Sequence, residues 1–140
     1  MQRAITALKS RFRFLIPVVV RLRFWRLYGR SPKDVFTEIY DTNFWSDAES
    51  LSGAGFNADQ TRVIRQALPE LLEALHCESL LDVPCGDFNW MRTLNLKVRY
   101  TGGDIVAPLI ETNQRKYGAS HRSFFLVDLI SDPLPPADLI

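Results

Sequence analysis

Residues 79–140 alternate short apolar runs with longer segments in which apolar side chains recur every three or four positions. The apolar runs are of strand length and cover residues 80–83, 98–101 and 123–127. The segments between them, 88–96 and 106–117, have the spacing of amphipathic helices, the first of them short and irregular. Strands that alternate with helices indicate a parallel sheet with right-handed crossovers, so this part of the chain is predicted to be α/β.

Residues 34–78 are predicted to be helical and to pack on that sheet. Ser31 can cap a helix that has Pro32 at its first position and Asp34 in its first turn. Farther along, Asn57 can cap a second helix, which Pro69 is expected to kink or divide. The apolar stripe of this second helix comprises Val63, Ile64, Ala67, Leu68, Leu71, Leu72 and Leu75.

An acidic residue lies at the end of each predicted strand. The three strand ends read Pro84-Cys85-Gly86-Asp87, Gly102-Gly103-Asp104 and Asp128. The carboxyl ends of parallel strands meet at one edge of a sheet, where such folds bind nucleotides. An acid at the tip of the second strand, such as Asp104, can accept hydrogen bonds from ribose hydroxyls. The two glycines before it are expected to leave room for a close approach by the ligand.

The first of these turns narrows the chemistry of the ligand. A dinucleotide-binding loop presents bare backbone N–H groups to a pyrophosphate. Here Pro84 has no N–H, Phe88 is bulky, and the carboxylate of Asp87 would repel a diphosphate, which disfavours a nicotinamide dehydrogenase. S-adenosylmethionine has a ribose, no phosphate and a cationic sulfonium and ammonium. Such a ligand would be attracted by the carboxylates of Asp82 and Asp87.

The same turns resemble a known family. LLDVPCGDFNWM at 80–91, YTGGDIVAPLIETNQRKYG from Tyr100 and FFLVDLISDPLPPADLI from Phe124 are similar to bacterial class I S-adenosylmethionine-dependent methyltransferases. The likeness is greatest to a subgroup whose glycine loop reads D-x-P-C-G-D-F-x-W. That subgroup has an upstream W…ES-x-SG-x-G stretch, matched here by Trp45 and by ESLSGAG from Glu49. The resemblance covers residues 44–140 and implies the cofactor, but it does not identify the methyl acceptor.

Carried over by position, the resemblance implies eight cofactor-binding residues. Around the methionine end of S-adenosylmethionine it places Asp82, Cys85, Gly86 and Asp87. Asp104 and Ile105 would meet the ribose and adenine, and Asp128 with Leu129 would meet the adenine edge. The wider superfamily usually has glycine where this chain has Pro84 and Phe88. No catalytic residue is assigned, because the family's general base usually lies beyond the fourth strand.

Charge is distributed unevenly along the 140 residues, although the net charge is only +1. Residues 1–33 hold nine Lys and Arg and no acid, whereas residues 34–140 hold eight basic and sixteen acidic residues. A basic extension of +9 therefore precedes an acidic domain of −8. The two cysteines imply no disulfide framework and suit a reducing cytoplasm. His76 and His121 have no companions at metal-ligand spacing, so no metal site is predicted.

The basic extension leaves three interpretations open. Its longest apolar run, 14–20, contains Pro17 and is far shorter than the ~20 residues of a membrane-spanning helix. No signal-peptide cleavage site follows that run. The interpretation favoured first is a helix docked on the acidic domain or on a partner chain. Peripheral contact of residues 1–30 with the inner membrane surface comes second, and nucleic-acid binding comes last.

The chain ends at residues 137–140 in what reads as the start of a fourth strand. The predicted fold is therefore a partial Rossmann-like parallel sheet with N-terminal helices, incomplete after the start of its fourth strand. Its three segments are the extension at 1–33, a helical segment at 34–78 and half of a methyltransferase domain at 79–140. The predicted function is the cofactor-binding half of an S-adenosylmethionine-dependent methyltransferase. The alternative is a truncated, non-catalytic fragment that acts as an interaction or membrane-associating module.

Overall fold

The structure is a computed structural model that describes Trp25 and residues 27–140. The chain divides into two units between Val35 and Phe36. Helix α1, Pro32–Asp41, begins in the first unit. There the Ser31 hydroxyl accepts a hydrogen bond from Asp34 N at 3.2 Å and donates one to the Asp34 carboxylate at 2.7 Å. This reciprocal pair confirms the predicted helix start.

In the described part of the chain, three parallel strands form the sheet: β1 (Ser79–Asp82), β2 (Arg99–Asp104) and β3 (Arg122–Leu126). Their order is β1-β2-β3, with Asp82 opposite Gly102 and Asp104 opposite Leu126. Leu139 adds a parallel bridge to Leu80 in β1. Leu81 N donates to Leu139 O at 2.9 Å, and Leu139 N donates to Ser79 O at 3.3 Å. The predicted α/β class with a parallel sheet is confirmed.

Two further helices accompany the sheet, α2 (Arg62–Ala74) and α3 (Ala107–Tyr117). Asn57 Oδ1 accepts from Gln60 N at 3.0 Å, which closes a turn ahead of α2 rather than the first turn of the helix itself. Of the two effects predicted for Pro69, division of the helix is wrong, because α2 continues through that residue. Leu68 and Leu72 flank the proline and are both buried in the core, and this packing holds the helix together.

The predicted irregular helix at 88–96 is reduced to a short 3₁₀ turn, Met91–Thr93. Phe88 has φ of +59°, in the left-handed region that a right-handed helix does not use. Its ring is 2% exposed and lies 5.0–5.3 Å from the rings of Tyr100, Tyr117 and Phe124. Burial of this ring among the strands and α3 outweighs the backbone strain, so the chain turns at Phe88 instead of starting a helix.

One hydrophobic cluster joins the sheet to α2 and α3. Its members include Leu68, Leu72, Leu80, Cys85, Phe88, Met91, Val98, Tyr100, Val106, Leu109, Ile110 and Phe124. The cluster fixes α3 and the turn after β1 against the same strands. Each of these elements ends near the carboxyl edge of the sheet or starts there, so the core determines the geometry of that edge.

Among the described helices, none combines the length and the apolar character needed to cross a bilayer. The predictions for the basic extension, including contact of residues 1–30 with the membrane surface, fall on residues 1–24 and 26, which lie outside the described residues, and on a few described residues that do not test them.

Candidate functional site

The carboxyl ends of the three strands meet at one edge of the sheet, as predicted. After β1, Cys85 N donates to Gly103 O at 2.8 Å and Gly86 N donates to Asp104 Oδ2 at 3.1 Å. After β3, Val127 N donates to Asp104 O at 2.9 Å. Asp104 therefore links the turn that follows β1 to the end of β3. Its neighbourhood is the centre of the candidate site.

Asp82, at the end of β1, lies in a partly buried and acidic environment. Its Oδ2 accepts a hydrogen bond of 2.6 Å from the Tyr100 hydroxyl. The pKa of Asp82 is raised to about 6, chiefly by burial; the Tyr100 hydrogen bond opposes the rise, and the negative charge of Asp104 adds a smaller increase. The pKa of Tyr100 is also raised, first by burial and then by the charge of Asp82. A cationic group at this edge would relieve the repulsion between the two carboxylates.

Asp104 is buried, and its carboxylate accepts hydrogen bonds from two backbone N–H groups. Besides Gly86 N, it accepts a hydrogen bond from Val106 N through Oδ1 at 3.1 Å. Burial raises the pKa of Asp104, while these backbone hydrogen bonds act to lower it. Each carboxylate oxygen has a second lone pair, so Asp104 retains capacity to accept from a ligand hydroxyl. The pKa of the neighbouring Cys85 thiol is raised by burial and by the charges of Asp104 and Asp82, which makes it a poor nucleophile.

A loop at residues 50–56 packs on the turn and was not among the predicted site residues. Asp87 N donates to Ser52 Oγ at 2.9 Å, and Asp87 Oδ2 accepts from Leu51 N at 2.8 Å. Asn89 Nδ2 donates to Phe56 O at 3.2 Å. The loop therefore shields one side of the turn and fixes the carboxylate of Asp87. The signal in the sequence was the ESLSGAG stretch.

The remaining predicted residues lie at the same edge. Ile105 follows β2 and is half-buried. Asp128 follows Val127, and its Oδ1 accepts from Ile130 N at 2.9 Å, which organises the loop after β3. Leu129 beside it is half exposed. These three residues therefore follow directly after β2 and β3 at the carboxyl edge of the sheet.

The role expected for Gly102 and Gly103 is different in the structure. A Cβ atom at Gly102 would lie 2.8 Å from the Phe124 ring, and one at Gly103 would lie 2.7 Å from Val127 Cγ1. The space beside β2 is therefore filled by side chains of β3 and of the residue after it. These glycines allow the sheet to pack and do not leave room for a ligand.

Asn113, on α3, was also absent from the predicted site residues, like the 50–56 loop. Its Nδ2 donates to Gly86 O at 2.8 Å, and the side chain is 2% exposed. The available signal was its position, because Asn113 occupies the apolar stripe of α3 with Leu109 and Ile110. A polar residue at a core position usually has a specific partner.

A cleft of about 370 Å³ lies beside the turn, within the size range of small-molecule pockets. Asp87 and Asn113 line it together with the acids Asp47 and Glu49. Arg92 and Lys116 line it as well, so its walls carry both signs of charge. The cleft gives a polar ligand access to the Asp87 side of the turn.

The described residues contain no group of three or more His, Cys, Asp or Glu arranged to hold a metal ion. Comparison with protein-family models, curated proteins and solved structures finds no match. The function must therefore be argued from the geometry of the strand edge itself.

Proposed function

We propose that this chain is the cofactor-binding portion of an S-adenosylmethionine-dependent methyltransferase with a partial Rossmann-like sheet. The observation that carries the proposal is the shared position of the three strand ends. Gly86, Asp104 and Val127 are joined there by hydrogen bonds, and Asp82 and Asp128 flank them. One adenosine placed across this edge would meet all three strand ends.

The strand order supports the Rossmann-like part of the proposal. With β2 on one side of β1 and Leu139 on the other, the order reads 3-2-1 followed by the bridge at Leu139. Successive strands are therefore added first on one side of β1 and then, at Leu139, on its other side. In doubly wound folds, ligands bind at the carboxyl ends of the strands next to such a reversal. The turn containing Gly86 lies directly after β1.

The electrostatics of the edge support a cationic nucleoside. The raised pKa of Asp82 comes chiefly from burial, with a smaller contribution from the charge of Asp104, and a sulfonium nearby would stabilise the ionised form of both carboxylates. Asp104 keeps acceptor capacity for a ribose hydroxyl. A diphosphate would instead bring two further negative charges to this edge. The residues present therefore fit S-adenosylmethionine better than a dinucleotide.

When bound, S-adenosylmethionine supplies an activated methyl group on a positively charged sulfur. The contribution of the described residues would be to bind and orient the nucleoside. Orientation is a large part of catalysis for a displacement that needs its reacting atoms in line. Asp82 and Asp87 would hold the cationic end, and the strand tips would hold the ribose and adenine.

Calorimetric titration of the chain with S-adenosylmethionine, S-adenosylhomocysteine and NADH tests the proposal. We expect both S-adenosyl compounds to bind and NADH to bind more weakly. Tighter binding of NADH would contradict the choice of cofactor. Absence of binding by all three would favour the alternative that the chain is an interaction module.

A charge variant tests the role of the carboxylates. Asp82→Asn keeps an acceptor for the Tyr100 hydroxyl but removes the charge. We expect it to weaken binding of S-adenosylmethionine roughly three- to tenfold and to change binding of the neutral thioether S-adenosylhomocysteine less. Glu70→Gln, on the exposed side of α2, is the matched control and should change neither. An equal loss for both ligands would remove the sulfonium argument.

A further inference from the structure

The backbone of Gly86 is held by side chains from two other elements, Asp104 and Asn113, and its carbonyl also receives a weak 3.5 Å contact from the Cys85 thiol. Its N–H donates to Asp104 Oδ2 at 3.1 Å, and its carbonyl oxygen accepts from Asn113 Nδ2 at 2.8 Å. Gly86 has φ of +55°, a conformation that side-chain-bearing residues rarely adopt. Both polar groups of this residue are thus fixed by the tip of β2 and by α3.

The peptide bond that follows Gly86 is held on both sides. In a trans peptide the carbonyl and the N–H point in opposite directions. Here the Gly86 carbonyl points to Asn113, and the N–H of Asp87 points to Ser52 Oγ at 2.9 Å. The plane of this peptide is therefore clamped between α3 and the 50–56 loop. The direction of that plane also sets where the carboxylate of Asp87 leaves the backbone.

Burial of the Asn113 side chain costs free energy unless its amide group forms hydrogen bonds. Asn113 is 2% exposed and occupies the apolar stripe of α3, where leucine would have the same branched arrangement of side-chain heavy atoms and no polar group. Its Nδ2 lies 2.8 Å from Gly86 O and 3.9 Å from Cys85 Sγ. Both partners belong to the turn after β1. The buried amide thus contributes to the turn rather than to the helix that carries it.

We propose that Asn113 is a positioning residue for the nucleoside site, which acts by fixing the Gly86–Asp87 peptide. This inference rests on the proposed function, since it concerns the same turn. Without the amide, the Gly86 carbonyl keeps only the weak Cys85 S–H donor at 3.5 Å, and the peptide is held less firmly. The carboxylate of Asp87 is then positioned by the 50–56 loop and Asn89 N, without the support of α3.

Two variants remove the donor: Asn113→Leu keeps the number and branching of the side-chain heavy atoms, and Asn113→Ala removes most of the side chain. Ile110→Val, one turn earlier on α3 and also buried, is the matched control for a packing defect. At a temperature where all variants remain folded, we expect affinity for S-adenosylhomocysteine to fall about tenfold in both Asn113 variants. We expect the control to stay within about twofold of the wild type. Wild-type affinity in Asn113→Leu would overturn the inference.

Amide hydrogen exchange in the ligand-free protein separates this inference from the proposed function. We expect the Gly86 and Asp87 amides to exchange at least about tenfold faster in both Asn113 variants, with no change in Ile110→Val. Unchanged exchange at these two amides would refute the positioning role whatever the binding result. Faster exchange with unchanged affinity would show a structural role alone and would also overturn it. If the wild type binds no S-adenosyl compound, the proposed function fails, and the exchange rates still decide whether Asn113 holds the turn.

Discussion

At the residue scale, the site depends on acids whose charges are held close together. The Asp82 carboxylate accepts a hydrogen bond from the Tyr100 hydroxyl and lies near the negative charge of Asp104. Its pKa is raised from 3.8 to about 6, chiefly by burial. At a pH between these two pKa values, the Asp82 carboxyl group is mostly protonated in the folded protein and mostly ionised in the unfolded chain. The stability of the folded protein must therefore decrease as the pH rises through this window.

This linkage predicts the behaviour of Asp82→Asn. The variant cannot ionise, and its amide oxygen can still accept from Tyr100. We expect it to be more stable than the wild type at pH 7.5 by on the order of 1–3 kcal/mol, with the difference vanishing near pH 4. Urea unfolding of both proteins between pH 4 and 7.5 measures the difference. A variant that is less stable than the wild type at pH 7.5 would contradict the assignment.

Gly86 offers a second prediction at the residue scale. An added Cβ would lie 2.5 Å from Ser52 Oγ and 3.1 Å from the Phe56 ring, in a residue whose φ is +55°. We expect Gly86→Ala to lose about 1–3 kcal/mol of unfolding free energy, from strain together with this contact.

Gly55→Ala is its control, because a Cβ there would meet no atom within 4 Å. Chemical denaturation should show a change of less than about 0.5 kcal/mol for the control. Similar losses for the two variants would mean that loss of glycine flexibility, and not the contact with the 50–56 loop, dominates.

At the element scale, α2 packs through only part of its apolar stripe. Leu68 and Leu72 are buried, whereas Val63, Ile64, Leu71 and Leu75 are 46–66% exposed. The pattern in the sequence therefore predicted the helix and its amphipathic character. It could not say which members of so broad a stripe meet the sheet, because that depends on the angle at which the helix packs.

Two adjacent leucines test this packing. Leu72 is 4% exposed and Leu71 is 46% exposed. We expect Leu72→Ala to lose about 2–4 kcal/mol of unfolding free energy because it leaves a cavity, and Leu71→Ala to lose less than about 1 kcal/mol. Both changes have the same small effect on helix propensity, so the difference reports burial. Equal losses measured by denaturant unfolding would show that both leucines are packed.

At the scale of the whole molecule, Asp138 connects residues far apart in the chain. Its Oδ2 accepts from Glu78 N, Ser79 N and the Ser79 hydroxyl at 2.8–2.9 Å, and these hydrogen bonds lower its pKa. They hold the chain around Leu139 beside the start of β1. A carboxylate with a lowered pKa stabilises the fold above its ordinary pKa, and this contribution is lost as the pH falls through the folded value.

Asp138→Ala tests this connection. We expect a lower urea midpoint than the wild type at pH 7, and a smaller difference at pH 3, where the wild-type carboxylate begins to protonate. Asp59→Ala, at an exposed position before α2, should leave the midpoint unchanged at both pH values. A difference for Asp138→Ala that does not depend on pH would show that the carboxylate charge is not involved.

Prediction from the sequence succeeded where local pattern and chain direction suffice. Apolar runs that alternate with helical spacing predicted the parallel strands, and the acids after them had to meet at one edge. Ser31 at the start of α1 was predictable because capping involves neighbours in sequence. The helix expected at 88–96 was wrong, because the pattern of apolar positions does not reveal that the Phe88 ring is needed in the core.

The sequence by itself determined the fold class, the position of the strand ends and the acidic character of the edge between them. The tertiary structure alone decided that Asn113 and Asp104 hold Gly86, that Ser52 packs on the turn, and that Phe88 leaves the helical conformation. The physical reason is the distance along the chain. Patterns encode burial and backbone preference within about one helical turn, whereas these contacts join residues 18–35 positions apart and form only when the core brings them together.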